Sequence, residues 1–264
     1  MRYLLLFSLI FACSSFSDDL TVNFINVGKG DCILIQTPNN KNILIDGGLP
    51  LAGDDVVKYI KDRKISKIDI IVLTHPHIDH CGGLFDVIAN FKIDKFYMPV
   101  NNCDLKNCNE VVNLSQAKGI PLKYIMARDS IFVDPALQID IFAPNNEYYK
   151  DCNNSSIVLK LTFNKISFLF TADAEWISEY EMLKKKYDLK ADVYKVPHHG
   201  TDELNKKFFK KVSPRYAVIT NNDTLVCTTV LKELRKRNVA IFTTVSSSVI
   251  FTSNGKTINV KAIQ

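Results

Sequence analysis

Short apolar runs alternate with polar turns and amphipathic stretches along most of this chain. The runs near residues 32–36 and 42–45 predict two neighbouring strands. Val56 and Ile60 lie at helical spacing in the stretch that follows, which predicts an amphipathic helix. Residues 68–73 are almost entirely apolar and predict a buried strand. The pattern therefore indicates an α/β protein.

The same order of elements occurs twice. Residues 33–75 and 157–198 each predict two strands, an aspartate, a helix and a strand that ends near a histidine. In the second copy the predicted helix has the apolar residues Trp176, Ile177, Tyr180 and Leu183. Two such halves packed face to face give two inner sheets with helices outside, a four-layer αββα sandwich. The repeat also predicts that Asp46 and Asp173 occupy related places at one edge of it.

All five histidines fall in two short clusters. The first holds His75, His77 and His80 directly after the predicted strand 68–73, and the second holds His198 and His199. Neutral imidazole and carboxylate are ligands for zinc, manganese and iron. Residues two apart in an extended segment point the same way, so the first cluster can contact two ions. This distribution is typical of a metal centre.

The first cluster, His75-Pro-His-Ile-Asp-His80, resembles the His-x-His-x-Asp-His signature of the metallo-β-lactamase superfamily. Five further segments are similar, in order, to the hydrolase domain of DNA-uptake competence proteins of the ComEC type. They are residues 27–32, 44–48, 154–159, 170–173 and 195–200. Two positions depart from that pattern: Lys29 replaces a glutamine and Ala172 replaces a glycine. Neither change removes a ligand.

The resemblance implies a centre for two divalent ions, zinc or manganese. Site one would use His75 and His77, site two would use Asp79, His80 and His198, and Asp173 would bridge both. Members with a complete first site carry a further histidine before the bridging aspartate, and this chain has residues 153–156, Asn-Asn-Ser-Ser, in that neighbourhood. Oxygen-rich coordination suits harder cations, so the first ion is expected to bind more weakly and to be exchangeable, as manganese would be.

Other residues are expected to act around the ions. Asp79 and His199 are predicted to be catalytic, with His199 behind a ligand or contacting phosphate. Asp46 is expected to accept a hydrogen bond from a ligand histidine, as outer carboxylates commonly do, or else to be a simple turn residue. The remaining residues predicted to support the ligands or contact substrate are Asn153, Asn154, Ser155 and Thr201.

A pair of such ions would generate a bridging hydroxide near neutral pH and bind the oxygens of an in-line displacement. The resemblance therefore implies an exported metal-dependent phosphodiesterase or nuclease, with single-stranded DNA as one expected substrate. Two alternatives stay open. One is a cell-envelope phosphoesterase, for example a phosphorylcholine esterase. The other is a noncatalytic surface or binding protein with a vestigial metal site.

Length and composition fit one hydrolase domain over residues 18–264, because 264 residues with 47% apolar content can bury a large core. The formal charge of +5 suits a polyanionic substrate or an anionic membrane face, and equally an ordinary surface rich in lysine. Residues 1–17 combine a short basic start with an apolar run, which predicts an export signal. The expected location is periplasmic, extracellular or membrane-anchored, with Cys13 as the lipid-bearing residue in the anchored case. No transmembrane helix is expected in the mature chain.

Seven cysteines are consistent with export. Cys103 and Cys108 border a polar loop that a disulfide could close, and both could equally be reduced. Cys81, next to His80, is interpreted as a small buried packing residue, with metal binding as the alternative.

Overall fold

The structure is a computed structural model, which describes residues 19–100, 106–221, 226–244 and 246–263. The predicted export signal, Cys13 and Cys103 lie outside the described residues. The strands are β1 Leu20–Phe24, β2 Ile33–Gln36, β3 Asn42–Ile45, β4 Lys67–Val72, β5 Lys92–Pro99, β6 Leu122–Ile125, β7 Gln138–Ala143, β8 Val158–Phe163, β9 Ile166–Phe170, β10 Val193–Lys195, β11 Tyr216–Ile219, β12 Ala240–Thr243, β13 Ser248–Ser253 and β14 Ile258–Ile263. The α-helices are α1 Gly53–Asp62, α2 Ile78–Cys81, α3 Leu84–Asn90, α4 Asn109–Ala117, α5 Trp176–Lys185, α6 Lys206–Val212 and α7 Thr228–Lys236.

The strands form two sheets. The first has the order β14-β13-β1-β2-β3-β4-β5-β6, and the second has the order β12-β11-β10-β9-β8-β7. From β3 to β6 the first sheet is parallel, and from β9 to β12 the second sheet is parallel. Parallel strands end at the same edge of a sheet, where open α/β folds place their sites. Both histidine clusters follow strands of these parallel parts, β4 and β10.

Three apolar clusters define the layers. One contains residues of both sheets, such as Phe24 and Phe168, and forms the core between them. A second joins the outer face of the first sheet to α1, α3 and α4, and a third joins the second sheet to α5, α6 and α7. The predicted four-layer αββα sandwich is thereby confirmed.

Helix α5 shows one difference from the sequence-based expectation. Its apolar residues Trp176, Ile177 and Tyr180 are exposed by 66%, 42% and 54%, and the helix buries Ser178, Glu179 and Met182 instead. Three of the four apolar residues named for this helix are therefore largely exposed, whereas the fourth, Leu183, packs against the core. The helix starts directly beyond the centre at the sheet edge, so its first turn borders the site and not the core.

The cysteines also differ from expectation. Cys108 is bonded to Cys81, at a separation of 27 residues, and Cys152 is disulfide-bonded too. The suggested Cys103–Cys108 pair is therefore wrong, and Cys81 is neither a free packing residue nor a metal ligand. The two cysteines can bond because the fold brings the end of α2 next to the start of α4. It ties helix α2 to the chain just before α4.

Within the described residues, no helix combines the length and the apolar character that crossing a membrane requires.

Candidate metal centre

The loop after β4 carries the first histidine cluster, and Asp46 at the end of β3 fixes its shape. Thr74 donates its backbone N–H and its hydroxyl to the two carboxylate oxygens of Asp46, at 2.8 and 2.7 Å. His80 Nδ1 lies 2.7 Å from Asp46 Oδ2. All three side chains are buried. Because Nδ1 faces Asp46, the other ring nitrogen of His80, Nε2, faces the centre.

His75 and His77 lie together on one side of the centre. His75 Nε2 is 3.0 Å from His77 Nδ1 and 3.8 Å from Asp173 Oδ2. The three residues offer ligand atoms that all lie within 4.8 Å of one another. Burial lowers the pKa of His75 well below its usual value, and the nearby charge of His80 lowers it further. His75 is therefore neutral, as a metal ligand must be.

Asp79, His80 and His199 form a second group with ligand atoms within 4.8 Å of one another. His199 Nε2 is 3.6 Å from Asp79 Oδ2 and 3.2 Å from Asp173 Oδ2, and His80 Nε2 is 3.3 Å from the same Asp173 oxygen. One oxygen of Asp173 thus faces both groups. Asp173 follows β9 in the second half of the repeat, whereas Asp46 follows β3 in the first half, so the two aspartates occupy corresponding positions.

The pKa values of this second group reflect its charges. Burial lowers the pKa of His199, but the carboxylate of Asp173 outweighs this and raises it to about 10. Burial likewise opposes protonation of His80, and Asp173 and Asp46 together raise its pKa well above the usual value. Two buried imidazoles thus face a concentration of negative charge that either protons or a cation can neutralise.

The two adjacent histidines lie in different places relative to the centre. His199, expected behind a ligand, is fully buried and points into the centre. His198, expected as a ligand, lies at the rim, with Nε2 3.9 Å from Asp173 Oδ2 and Nδ1 in contact with Asp202. Both histidines have positive φ, 45° and 53°, so the chain turns sharply here and directs the second imidazole inwards. Spacing alone could not distinguish the two.

The segment predicted in place of a ligand histidine contacts a rim carboxylate. Asn153 and Asn154 donate their side-chain amides to Glu175, at 2.8 and 3.4 Å. Ser155 is fully buried and donates its hydroxyl to the carbonyl of Cys152. Thr201 likewise donates its hydroxyl to a backbone carbonyl, that of His198, at 2.7 Å.

Three residues of the centre were not predicted: Asp31, Lys195 and Thr220. The Lys195 ammonium lies 2.8 Å from Asp31 Oδ2 and 3.5 Å from Asp173 Oδ1, and all three side chains are almost fully buried. Burial lowers the pKa of Lys195, but Asp31 and Asp173 outweigh this and raise it, so the lysine is charged. Asp31 and Lys195 lie in segments 27–32 and 195–200, two of the motifs that carry the resemblance. Their place in those motifs is the feature of the sequence that could have marked them as residues of the centre.

The rim opens into two cavities that share Glu175 and Trp176. One, of about 260 Å³, is bordered by Trp176, His198 and the acidic residues Glu175, Glu179, Asp202 and Glu203. The other, of about 500 Å³, is bordered by His77, Asn154 and Trp176. The larger cavity reaches His77 of the centre, and the smaller one reaches His198 at its rim.

The donor set fits divalent cations. His80 Nε2 and His199 Nε2 are buried and make no hydrogen bond within the described structure, although both face Asp173. Buried polar atoms are normally satisfied, and a metal ion is one partner that explains such exceptions. Imidazole nitrogens and carboxylate oxygens are the donors that zinc and manganese accept.

A four-layer αββα fold with a histidine and aspartate centre at the sheet edge defines a class of metal-dependent hydrolases. The family model of the metallo-beta-lactamase superfamily matches residues 25–219. The chain belongs to this superfamily, and the expected resemblance is confirmed.

Relatives and solved structures agree with this assignment. The chain is 25% identical over 230 residues to ComE operon protein 3 of Bacillus subtilis, covering 80% of this chain and 30% of that protein. It is 24% identical to competence protein ComA of Neisseria gonorrhoeae, covering 77% of this chain and 27% of that protein. The chain thus spans less than a third of the length of these relatives. In fold it is similar to a putative metal-dependent hydrolase from Parabacteroides distasonis, with a TM-score of 0.53 and 17% identity, covering 85% of this chain and 92% of that one.

Proposed function

We propose that this protein is a metal-dependent phosphodiesterase that binds two divalent ions, zinc or manganese. One ion would be held by His75, His77 and Asp173. The other would be held by Asp79, His80 and His199, with Asp173 shared between them. The observation that carries the proposal is the position of Asp173 Oδ2, which lies 3.8, 3.3 and 3.2 Å from the Nε2 atoms of His75, His80 and His199.

The ions, when bound, supply Lewis-acid stabilisation of phosphate oxygens and a water molecule of lowered pKa. The residues of the chain provide the geometry. Asp46 holds Thr74 and His80 in place, and Asp173 contributes one oxygen to both sites. His198 is at the rim and borders the smaller cavity, where it can contact a phosphate oxygen of the substrate.

Nucleic acid is the first proposed substrate. Two curated relatives carry competence names and a third, from Haemophilus influenzae, is named recombination protein 2, at 26% identity over 76% of this chain. The basic formal charge of +5 supports a polyanionic substrate. Single-stranded DNA, the expected substrate from the sequence, is therefore the substrate to test first.

A second candidate function rests on the smaller cavity. Its carboxylates, including Glu175 and Asp202, repel a polyanion, whereas the exposed ring of Trp176 and those charges together suit an organic cation. An envelope phosphoesterase acting on an amine-bearing phosphodiester, such as a phosphorylcholine ester, would use this cavity.

A substrate panel tests both proposals. Hydrolysis of bis-p-nitrophenyl phosphate, single-stranded DNA and a p-nitrophenyl phosphorylcholine ester is measured with zinc, with manganese and with a chelator. We expect metal-dependent turnover of the small diester, and the preferred natural substrate decides between nuclease and envelope esterase. A folded protein with bound metal and no turnover of any diester would favour the noncatalytic alternative.

The proposed assignment of His199 as a ligand and of His198 as a rim residue has its own test. His199→Ala is expected to lower metal affinity by more than the roughly 10- to 100-fold typical of residues behind the ligands, as is Asp79→Ala. His198→Ala, a change of the same size one position away, is expected to keep both ions. Titration calorimetry measures the stoichiometry, and a second ion lost in His198→Ala but kept in His199→Ala would restore the assignment predicted from sequence.

We further propose that the protein is exported, with residues 1–17 as the signal and Cys13 as a lipid attachment point in the anchored form. The disulfide between Cys81 and Cys108 supports an oxidising compartment. Mass spectrometry of the mature protein from its native host tests this, and an intact amino terminus with Met1 would refute it.

A further inference from the structure

Lys195 is a charged side chain enclosed within the centre. Its side chain is 0% exposed, and its ammonium donates to the carbonyl of Ala172 at 2.7 Å. Its other neighbours are Asp31 Oδ2 at 2.8 Å and Asp173 Oδ1 at 3.5 Å. The two oxygens of Asp173 therefore have different partners. Oδ1 faces the ammonium, and Oδ2 faces the histidines.

Asp31, the partner of Lys195, reaches the second group of ligands by two further contacts. Its Oδ1 accepts a hydrogen bond from Thr220 at 2.6 Å and lies 3.5 Å from His199 Nδ1. Thr220 Oγ1 is itself 3.0 Å from that Nδ1. The backbone N–H of Asp31 donates to the carbonyl of Asp79 at 3.2 Å. Asp31 lies just before β2 and the first half of the repeat, and Lys195 ends β10, in the second half.

These contacts give the ion pair a defined task. We propose that the Lys195–Asp31 pair positions the ligand atoms of Asp173 and His199, and thereby sets the affinity of the centre for its second ion. Lys195 turns Asp173 so that one oxygen is left for both ions. Asp31, with Thr220, holds the Nδ1 side of His199, so that Nε2 faces the centre. The inference rests on the proposed metal centre, and it makes both residues positioning residues rather than ligands.

The charge balance of the centre supports the same role. Asp31, Asp46 and Asp173 are carboxylates that are nearly or fully buried at the centre. A buried carboxylate needs a compensating charge, and Lys195 supplies one that is permanently part of the chain. The remaining negative charge is then available to cations that enter from the rim.

A double-mutant cycle tests the pair. Each single variant, Lys195→Met or Asp31→Asn, leaves one buried charge without its partner, so it is expected to lose stability. The double variant Lys195→Met/Asp31→Asn removes the positive and the negative charge of the pair together, so its urea midpoint is expected to lie closer to that of the wild type than that of either single variant. Its affinity for the second Mn²⁺ or Zn²⁺ ion, measured by titration calorimetry, is expected to fall about 10- to 100-fold.

A second lysine pair provides a control for the chemical change. Lys160 is nearly buried, and its ammonium lies 2.8 Å from Oδ2 of the exposed Asp188, away from the centre. Lys160→Met/Asp188→Asn makes the same chemical change and is expected to keep the wild-type affinity. A merely structural role for Lys195 and Asp31 would make affinity follow the urea midpoint, whereas positioning lowers affinity in a double variant that is otherwise stable.

Two opposing results are distinguishable. Wild-type affinity in the double variant overturns the inference and leaves the proposed function intact. Wild-type protein that binds neither Mn²⁺ nor Zn²⁺ overturns the proposed function, and the inference with it.

Discussion

Removing the disulfide between Cys81 and Cys108 is expected to weaken both the fold and the metal centre. The bond joins residues 27 positions apart, and loop-closure entropy for such a span corresponds to about 3.5 kcal/mol at 25 °C. Cys81 is also the last residue of α2, the four-residue helix that carries Asp79 and His80. A helix this short has little stability of its own, so the bond to Cys108 restrains both ligands.

The measurement compares urea unfolding of metal-free Cys81→Ala/Cys108→Ala with that of the wild type, without reductant. The matched control is Cys32→Ala, because Cys32 is a free, fully buried cysteine in the same apolar cluster. It loses a buried sulfur but no cross-link, which is expected to cost about 1 kcal/mol. The double variant should lose about 3.5 kcal/mol beyond twice the control loss. With a urea slope of about 3 kcal/mol/M, this cross-link contribution shifts the midpoint by about 1 M.

The same variants test the link to the ligands. Calorimetric titration with Zn²⁺ should show weaker binding in the double variant and unchanged binding in Cys32→Ala. If the double variant loses no more free energy of unfolding than twice the loss in Cys32→Ala, the entropic argument is refuted. Lower stability with unchanged Zn²⁺ affinity would refute the restraint on α2.

Three further changes probe other parts of the structure. Burial raises the pKa of Glu179 from 4.5 to about 8, so the folded state keeps a proton that the unfolded state has lost. The free energy of unfolding should therefore fall between these two pH values, by up to roughly 5 kcal/mol. Glu179→Gln should abolish that fall in urea unfolding at pH 5 and 8.5. Gly30→Ala should lower both stability and metal affinity, because a Cβ at this position would lie 2.3 Å from the carbonyl oxygen of Asp79 and the φ of Gly30 is +137°. A Gly30→Ala variant with the melting temperature of the wild type would contradict this. Thr74→Val removes a hydroxyl bonded to Asp46 and should lower Zn²⁺ affinity about tenfold in calorimetry, with unchanged affinity as the contrary result.

The sequence by itself determined the order of elements and the location of the chemistry. Period and apolar runs are local properties, so the paired strands and helices of both repeats were predicted close to their observed positions, for example β9 at Ile166–Phe170. The clustering of the histidines after two strands identified both loops of the centre. The repeat predicted the αββα architecture, because two halves with the same order of elements can pack face to face.

The tertiary structure alone decided which side chains meet. The spacings of two adjacent histidines to every other motif differ by one residue, which is too little to decide between them. The turn at Pro197–Gly200 shows that His199 and not His198 points inwards. The partners Cys81 and Cys108, and Asp31 and Lys195, are distant along the chain and are joined by packing of separate elements. Helix α5 exposes Trp176 because its first turn borders the site. The pattern of apolar and polar residues predicts local conformation. The contacts that orient the ligands depend on how the two halves of the repeat pack together, and a local sequence pattern does not determine that packing.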